Sequence, residues 1–191
     1  RQPPRRWLEV LSGGSMILLG LIAFAGFSRV PAAIMVPLCT GAALVNGWRF
    51  LRWGYQYCWG VPLLWSLHLA YAFIPLGLLA LALYSAGLLS SVSIALHCFT
   101  VGAIGGMILA MISRVTLGHT GRPLRPPQAM TAAYVMILGS AAVRVLVPAL
   151  MPAFAQWGIG VAGLLWLAAY GFFCYHYGPM LLSARVDGGP G

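Results

Sequence analysis

The sequence predicts an all-α fold, a polytopic transmembrane helical bundle of about six spans. Of its 191 residues, 61% are hydrophobic and 7% are charged, whereas soluble domains carry about 25% charged residues. The hydrophobic residues form stretches of about 20 residues, which is the length that a membrane-spanning helix requires. Segments rich in glycine, proline and arginine separate these stretches, as is typical of the loops between spans.

Individual residues mark the boundaries of the spans in chain order. Pro31 suits the first turn of the second helix, where its missing N–H has no partner to lose. The uncharged run 53–113 is too long for one helix and divides at the small and polar stretch SAGLLSSVS, residues 85–93. Pro148 and Pro152 end the fifth helix. The predicted spans are residues 8–28, 31–51, 60–84, 93–113, 128–150 and 155–182.

The placement of arginines predicts the orientation of the bundle. With six spans, both termini lie on one side of the membrane, and nine of the 11 basic residues fall on that side. Arg29 lies in a loop on the other face, and Arg144 falls inside the fifth span. By the positive-inside rule, we expect both termini and the Gly-His-Arg loop 114–127 in the cytoplasm. The nine arginines are Arg1, Arg5, Arg6, Arg49, Arg52, Arg114, Arg122, Arg125 and Arg185.

The scarcity of acidic side chains narrows the chemistry that the chain can perform. Glu9 and Asp187 are the two carboxylates of the sequence, and both lie near a terminus. We therefore expect no carboxylate deep within a span, which argues against carboxylate proton relays and di-iron carboxylate bundles within this chain. Because the arginines are scattered over loops and form no basic patch, nucleic acid is not an expected partner. Membrane lipid is an expected partner because of the apolar spans.

Histidine, methionine and cysteine are the metal-binding side chains that remain. Imidazole suits iron and copper, and thioether or thiolate suits copper(I), so elimination points to haem iron or copper if the chain holds a metal. The four cysteines form no CxxC pair and are expected to be buried reduced thiols. The four histidines are His68, His97, His119 and His176.

Two histidines are predicted at membrane depth. His68 lies in the third span and His97 in the fourth. An imidazole in such a place is either a metal ligand or a hydrogen-bonding contact between helices, and the residues alone leave both interpretations open. If the connecting turn lies near Leu88, the two histidines differ in depth by about 16 Å of helix. We therefore do not expect them to be the two axial ligands of one iron. They can serve two centres, or His68 can pair with a group from the cytoplasmic half, where His119 and His176 lie.

Three further features allow both a functional and a structural interpretation. Arg144 has no acidic residue on its side of the membrane, so it either snorkels to the surface or binds an anion, which can be a haem propionate, a lipid phosphate or a substrate. His119 lies in LGHTGRPL, which is either an ordinary loop or a segment folded back under the bundle. Gly102 and Gly106 share one helix face, which suits close helix packing or contact with a flat macrocycle.

A family resemblance adds to this interpretation. The stretch LHCFTVGAIGGMILAMISRVTLGHTGRPL (96–124) closely resembles the signature of the NnrS family. LHLAYAFIPLGL (67–78), RVLVPAL (144–150) and YGPMLLSARVDGGPG (177–191) resemble further family stretches in the same order, from about residue 60 to the end. The resemblance implies a multi-pass protein of the bacterial inner membrane, associated with nitric oxide metabolism and denitrification and containing haem b and copper.

The same resemblance implies site residues and a partner. His68, His97 and His119 occupy positions typical of the family and are the predicted metal ligands, while Arg122 and Arg144 are predicted to bind the cofactor. Family members are usually longer, and the chain is expected to correspond to their C-terminal half. The WHxHEM motif of the family's first half is absent from this sequence. We therefore expect a fragment, a split subunit or a short relative, with a further membrane subunit or a separate N-terminal half as partner.

The predicted function is that of an integral membrane haem- and copper-binding protein of nitric oxide or denitrification metabolism. Whether the protein is an enzyme stays open. One alternative is a structural or assembly subunit of a larger respiratory or photosynthetic membrane complex, without its own redox centre. Another is a transporter with Arg144 as the binding charge, which is weakened because the sequence shows no inverted repeat.

Overall fold

A computed structural model describes residues 5–188, and this part of the chain forms six long helices and no strand. Each helix is long and apolar enough to cross a membrane, so the prediction of an all-α bundle of six helices is confirmed. The helices, in chain order, are α1 (Arg6–Ala25), α2 (Ala32–Arg52), α3 (Pro62–Ser85), α4 (Val92–His119), α5 (Gln128–Leu150) and α6 (Ala155–Leu181).

Short connections make consecutive helices antiparallel neighbours. Gly26 and Gly87 follow α1 and α3 with φ values of 103° and 76°, a conformation that glycine adopts without the steric cost of a side chain. The bundle therefore has two ends. The terminal end contains the first turns of α1, α3 and α5 and the last turns of α2, α4 and α6. The distal end contains the opposite ends of the same six helices.

Helices α3 and α4 form the centre of the bundle. Helix α3 contacts α2, α4 and α5, and α4 contacts α3, α5 and α6. Half of the residues in the most apolar stretch of α3 and of α4 are buried, compared with 17% in α1. Helix α1 packs mainly on α2 and lies at the edge of the bundle. Side chains of α3 and α4 are therefore the ones that the fold shields from its surroundings.

Glycines in α4 allow α3 to come close. A Cβ atom added at Gly102 would lie 2.3 Å from the ring of Phe73. At Gly106 it would lie 2.8 Å from Cβ of Ala70. The structure therefore decides between the two interpretations of this glycine face, because α3 covers it and leaves no room for a macrocycle. The face serves helix packing.

Two hydrogen bonds connect α6 to its neighbours. Gly105 ends a π-helical stretch of α4, Cys98–Gly105, and its carbonyl accepts a hydrogen bond of 3.1 Å from the hydroxyl of Tyr170. The hydroxyl of Ser140 in α5 donates to the carbonyl of Ala162 at 2.7 Å. Polar side chains thus connect α4, α5 and α6 within an apolar bundle, as is common in membrane proteins.

Helix α4 continues further than the sequence analysis predicts. It ends where Gly121 adopts a φ of 72°, and the N–H of Arg122 bonds to the carbonyl of Leu117 at 2.9 Å. This is the glycine-dependent arrangement that closes many helices. His119 consequently lies in the last turn of α4, and the loop is shorter than the predicted stretch 114–127. Residues 93–122 contain no proline, so the sequence has no proline that would end this helix before Pro123.

The cysteines are all free thiols, but they are not all buried. Cys39, Cys58 and Cys98 lie inside the fold, whereas Cys174 is exposed. The expectation of four buried thiols is therefore wrong for Cys174. Cys174 lies in α6, which is long and apolar enough to cross a membrane, and its side chain is exposed among the described residues.

Candidate functional site

His68 is buried near the terminal end of the bundle. It lies in the second turn of α3 and is 7% exposed. Its imidazole stacks on the ring of Phe50 in α2, with centroids 4.1 Å apart and planes inclined by 28°. Among residues 5–188, its Nε2 atom is buried and has no hydrogen-bond partner. Leaving a buried polar atom unpaired costs free energy. A bound group that pairs with Nε2 would therefore stabilise the folded protein.

Aromatic side chains surround His68 on several sides. The ring centroids of Trp53 and Tyr55 lie 6.4 Å and 6.3 Å from that of the imidazole. Trp53 also contacts Tyr71 of α3, with centroids 4.4 Å apart. Trp53 and Tyr55 come from the connection that follows α2, and Tyr71 comes from α3 itself. Together with Phe50, these rings enclose the imidazole, which favours ligand binding over a solvated histidine.

A pocket of about 390 Å³ lies beside His68, and Cys58 is part of its wall. The Cys58 thiol donates a hydrogen bond of 2.9 Å to the carbonyl of Tyr55. The pocket therefore offers one imidazole and one thiol, the two side-chain types that bind copper(I) well. The sequence analysis did not assign Cys58 to a site, because its position relative to His68 depends on how the α2–α3 connection folds back over α3.

A polar network joins α1, α2 and α3 next to this pocket. Glu9 Oε2 and Arg49 Nη2 lie 2.7 Å apart. Arg49 Nη1 donates to the hydroxyl of Tyr71 at 3.1 Å, and that hydroxyl donates to Asn46 Oδ1 at 2.9 Å. Ser12 donates to the same oxygen at 2.8 Å. Glu9 is thus in the first turn of α1 and paired, although the sequence analysis treated it only as a carboxylate near the terminus.

His97 and Arg144 lie together in a second pocket, at the distal end. This pocket has a volume of about 280 Å³ and lies between the start of α4, the end of α5 and the start of α6. Nothing in the spacing of the two residues along the sequence indicates that α4 and α5 place them in one pocket. Within residues 5–188, Arg144 makes no hydrogen bond or ion pair, and no carboxylate lines the pocket.

Ser93 orients the imidazole of His97. The Nδ1 atom lies 2.6 Å from the backbone carbonyl of Ser93 and 3.0 Å from its hydroxyl. A carbonyl oxygen only accepts, so the short contact requires the proton on Nδ1. The lone pair of His97 is then on Nε2. Ligating histidines commonly donate their other N–H to a backbone carbonyl in this way.

His119 and Arg122 lie at the terminal end, where the chain after α6 packs over the α4–α5 loop. Val186 N–H donates to the carbonyl of Thr120 at 3.3 Å. Arg122 donates to the hydroxyl of Ser183 at 3.4 Å. His119 itself is exposed in the last turn of α4. Arg122 therefore helps to hold the chain after α6, while His119 is open to a group from outside the described residues.

The predicted site residues thus fall into three places. His68 lies in the aromatic pocket, His97 and Arg144 line the distal pocket, and His119 lies on the surface of the terminal end. His68 and His97 share no pocket, as their different depths in the two helices predict. His176 packs edge-on against Tyr175 in α6, with centroids 5.1 Å apart, and lines neither pocket.

Comparison with known proteins gives one match. A family model described as NnrS protein matches residues 1–185. The match begins at residue 1, so the expectation that the resemblance starts near residue 60 is wrong, and describing it as the C-terminal half of the family needs the same correction. No curated protein and no solved structure matches the chain.

Proposed function

Because the chain belongs to the NnrS family, we propose that it is a multi-pass protein of the bacterial inner membrane that binds haem b and copper in nitric oxide or denitrification metabolism. Six helices that are long and apolar enough to cross a membrane support the membrane assignment. The excess of arginine at the terminal end supports cytoplasmic termini. The proposal rests most heavily on one side chain, His68.

The observation that carries the metal proposal is the unpaired Nε2 atom of His68. A histidine that only joined helices would hydrogen-bond a neighbouring helix through its ring nitrogens. Here Nε2 is buried and unpaired among the described residues, and the ring is fixed by stacking on Phe50. The pocket beside it contains the thiol of Cys58. This donor set fits iron or copper and not a cation that prefers oxygen ligands.

His97 is the second proposed ligand, at a separate centre. Its Nδ1–H bond to the Ser93 carbonyl leaves Nε2 as the coordinating nitrogen. His119 is the third predicted ligand, and it requires further ligands from outside the described residues because it lies exposed at the end of α4. Arg122 and Arg144 remain the proposed cofactor-binding residues. When bound, haem iron or copper(I) supplies a coordination position for a diatomic gas.

The test is the metal content of the purified chain and of a histidine panel. The full chain is purified from cells supplied with haem precursor and copper, and its absorption spectrum and elemental composition are measured. We expect a haem Soret band together with copper. His68→Ala should lose most of one metal, whereas His176→Ala, a change in a half-buried helical histidine outside both pockets, should retain both.

The alternative function as a structural subunit of a larger membrane complex is favoured by the position of α1. This helix packs on α2, and most of its surface lies outside the bundle, where lipid or another subunit can contact it. Absence of haem and copper from a preparation that retains all partner chains would support this alternative and contradict the proposed metal function.

A further inference from the structure

We propose that the distal pocket, which His97 and Arg144 line, binds a small planar oxyanion of one negative charge, the class that includes nitrate and formate. This proposal is independent of His68, which lies at the other end of the bundle, but it gives Arg144 and the His97 pocket an anion as ligand where the proposed function assigns them to a metal and its cofactor. It begins from the charge of Arg144. A guanidinium at membrane depth is costly, and no described carboxylate or other residue pairs with this one.

The polar groups of the pocket are hydrogen-bond donors. Three serines, Ser90, Ser91 and Ser93, line it together with Arg144 and His97. The Ser91 hydroxyl accepts a bond of 3.2 Å from the backbone N–H of Ser93, so its own proton stays available. Since Nδ1 of His97 carries the proton of the bond to the Ser93 carbonyl, the Ser93 hydroxyl proton is also not needed there.

The hydroxyl of Ser90 donates to no acceptor among residues 5–188. Three hydroxyls and one guanidinium therefore line a space that no described carboxylate lines. An anion can accept hydrogen bonds from all of these groups, including the hydroxyls of Ser90 and Ser91, which are exposed. A guanidinium recognises two oxygen atoms of one planar group particularly well. One arginine balances one negative charge, which favours a monovalent ion.

The dimensions of the pocket favour a small ion. Its volume of about 280 Å³ lies just below the range of roughly 300–1,000 Å³ that is usual for small-molecule sites. Two prolines, Pro148 at the end of α5 and Pro152 before α6, are part of its apolar lining. An ion of a few atoms with some water fits this space, whereas a macrocycle does not. A haem propionate or a lipid phosphate can enter the pocket only if the macrocycle or the lipid that carries it lies outside the pocket.

The test is anion-dependent thermal stability of the full chain in detergent, at constant ionic strength. A ligand that binds only the folded state raises Tm in a saturable way. Nitrate or formate replacing gluconate should raise the Tm of the wild type by about 5–10 °C at one hundred times Kd. Arg144→Gln should abolish the rise, and Arg125→Gln, which changes an exposed loop arginine at the terminal end, should preserve it.

A second variant tests the proposal if Arg144→Gln does not fold. The triple variant Ser90→Ala, Ser91→Ala, Ser93→Ala keeps the charge of Arg144, removes the three hydroxyl donors and should weaken nitrate binding at least tenfold. An unchanged Kd in that variant would contradict the proposal.

Two other outcomes would identify a different anion at Arg144. Loss of haem from Arg144→Gln, without any nitrate effect in the wild type, would assign Arg144 to a propionate instead. Retention of phosphatidylglycerol that depends on Arg144, again without a nitrate effect, would assign it to lipid.

Discussion

The imidazole of His68 stacks on the phenyl ring of Phe50, with centroids 4.1 Å apart. The contact joins α3 to the last turn of α2 and fixes a histidine whose Nε2 atom has no partner among the described residues. A side chain that orients a ligating histidine affects metal affinity even though it does not touch the metal. The orientation of the proposed metal ligand therefore depends on this stacking contact, which supports the imidazole.

The first prediction concerns this support. Phe50→Ala should lower the affinity for the metal at His68 by about 10–100-fold, because the imidazole loses its fixed orientation. Competition with a calibrated chelator measures the change. Phe172→Ala is the matched control, since Phe172 stacks on His176, with centroids 6.2 Å apart, outside both pockets. Equal affinities of the two variants would show that the stack does not position a ligand.

The second prediction concerns the polar network beside the pocket. Tyr71→Phe removes the hydroxyl that accepts from Arg49 and donates to Asn46. We expect a loss of about 1–3 kcal/mol in the free energy of unfolding, because two hydrogen bonds are removed and each contributes about 0.5–1.5 kcal/mol. Reversible denaturation in mixed micelles measures it. Tyr84→Phe is the control, since Tyr84 makes no hydrogen bond with another described residue. A smaller loss in Tyr71→Phe than in Tyr84→Phe would contradict the network's role.

The third prediction concerns the close approach of α3 and α4. Gly102→Ala places a methyl group 2.3 Å from the ring of Phe73, so the helices must move apart. Overpacking of this kind costs about 1–3 kcal/mol. Gly139→Ala meets no atom within 4 Å, and we expect it to be neutral or stabilising. Thermal unfolding of the two variants in the same detergent checks the difference, and equal Tm values would rule out the tight packing.

The fourth prediction concerns the α4–α5 loop and the chain that covers it. Gly121 has a φ of 72°, and a Cβ atom there would lie 2.6 Å from the carboxyl carbon of Asp187. Gly121→Ala should therefore displace the segment after α6 and speed trypsin cleavage at Arg185 several-fold. Gly118→Ala, whose new Cβ meets only Leu124 at 4.0 Å, should leave the cleavage rate unchanged. Unaltered cleavage in both variants would mean that the segment does not depend on this contact.

The helices could be predicted because their signals are local. Runs of apolar residues bounded by prolines and glycines specify each span without reference to the rest of the chain. The end of α4 was the exception. Gly118 and Gly121 both lie near it, and only the structure shows that Gly121 adopts the left-handed conformation while Gly118 stays in the helix. A residue type indicates that a helix can end, but the packing of the following chain selects where it ends.

The site residues could be proposed one by one, but their grouping could not be predicted. His97 and Arg144 meet because α4 and α5 pack together at the distal end. Cys58 faces the His68 pocket because the α2–α3 connection turns back over α3. The sequence alone does not place Asn46 and Tyr71 in one polar network, although an asparagine inside a predicted span is a signal that sequence analysis can use.

X-ray absorption at the iron and copper edges is the decisive measurement of whether Nε2 of His68 binds a metal. In the wild type, one of the two metals should show imidazole scattering from a nitrogen at about 2 Å. His68→Ala should lose that contribution, while His176→Ala should keep it. Identical spectra of the wild type and His68→Ala at both edges, with equal metal content, would contradict the account.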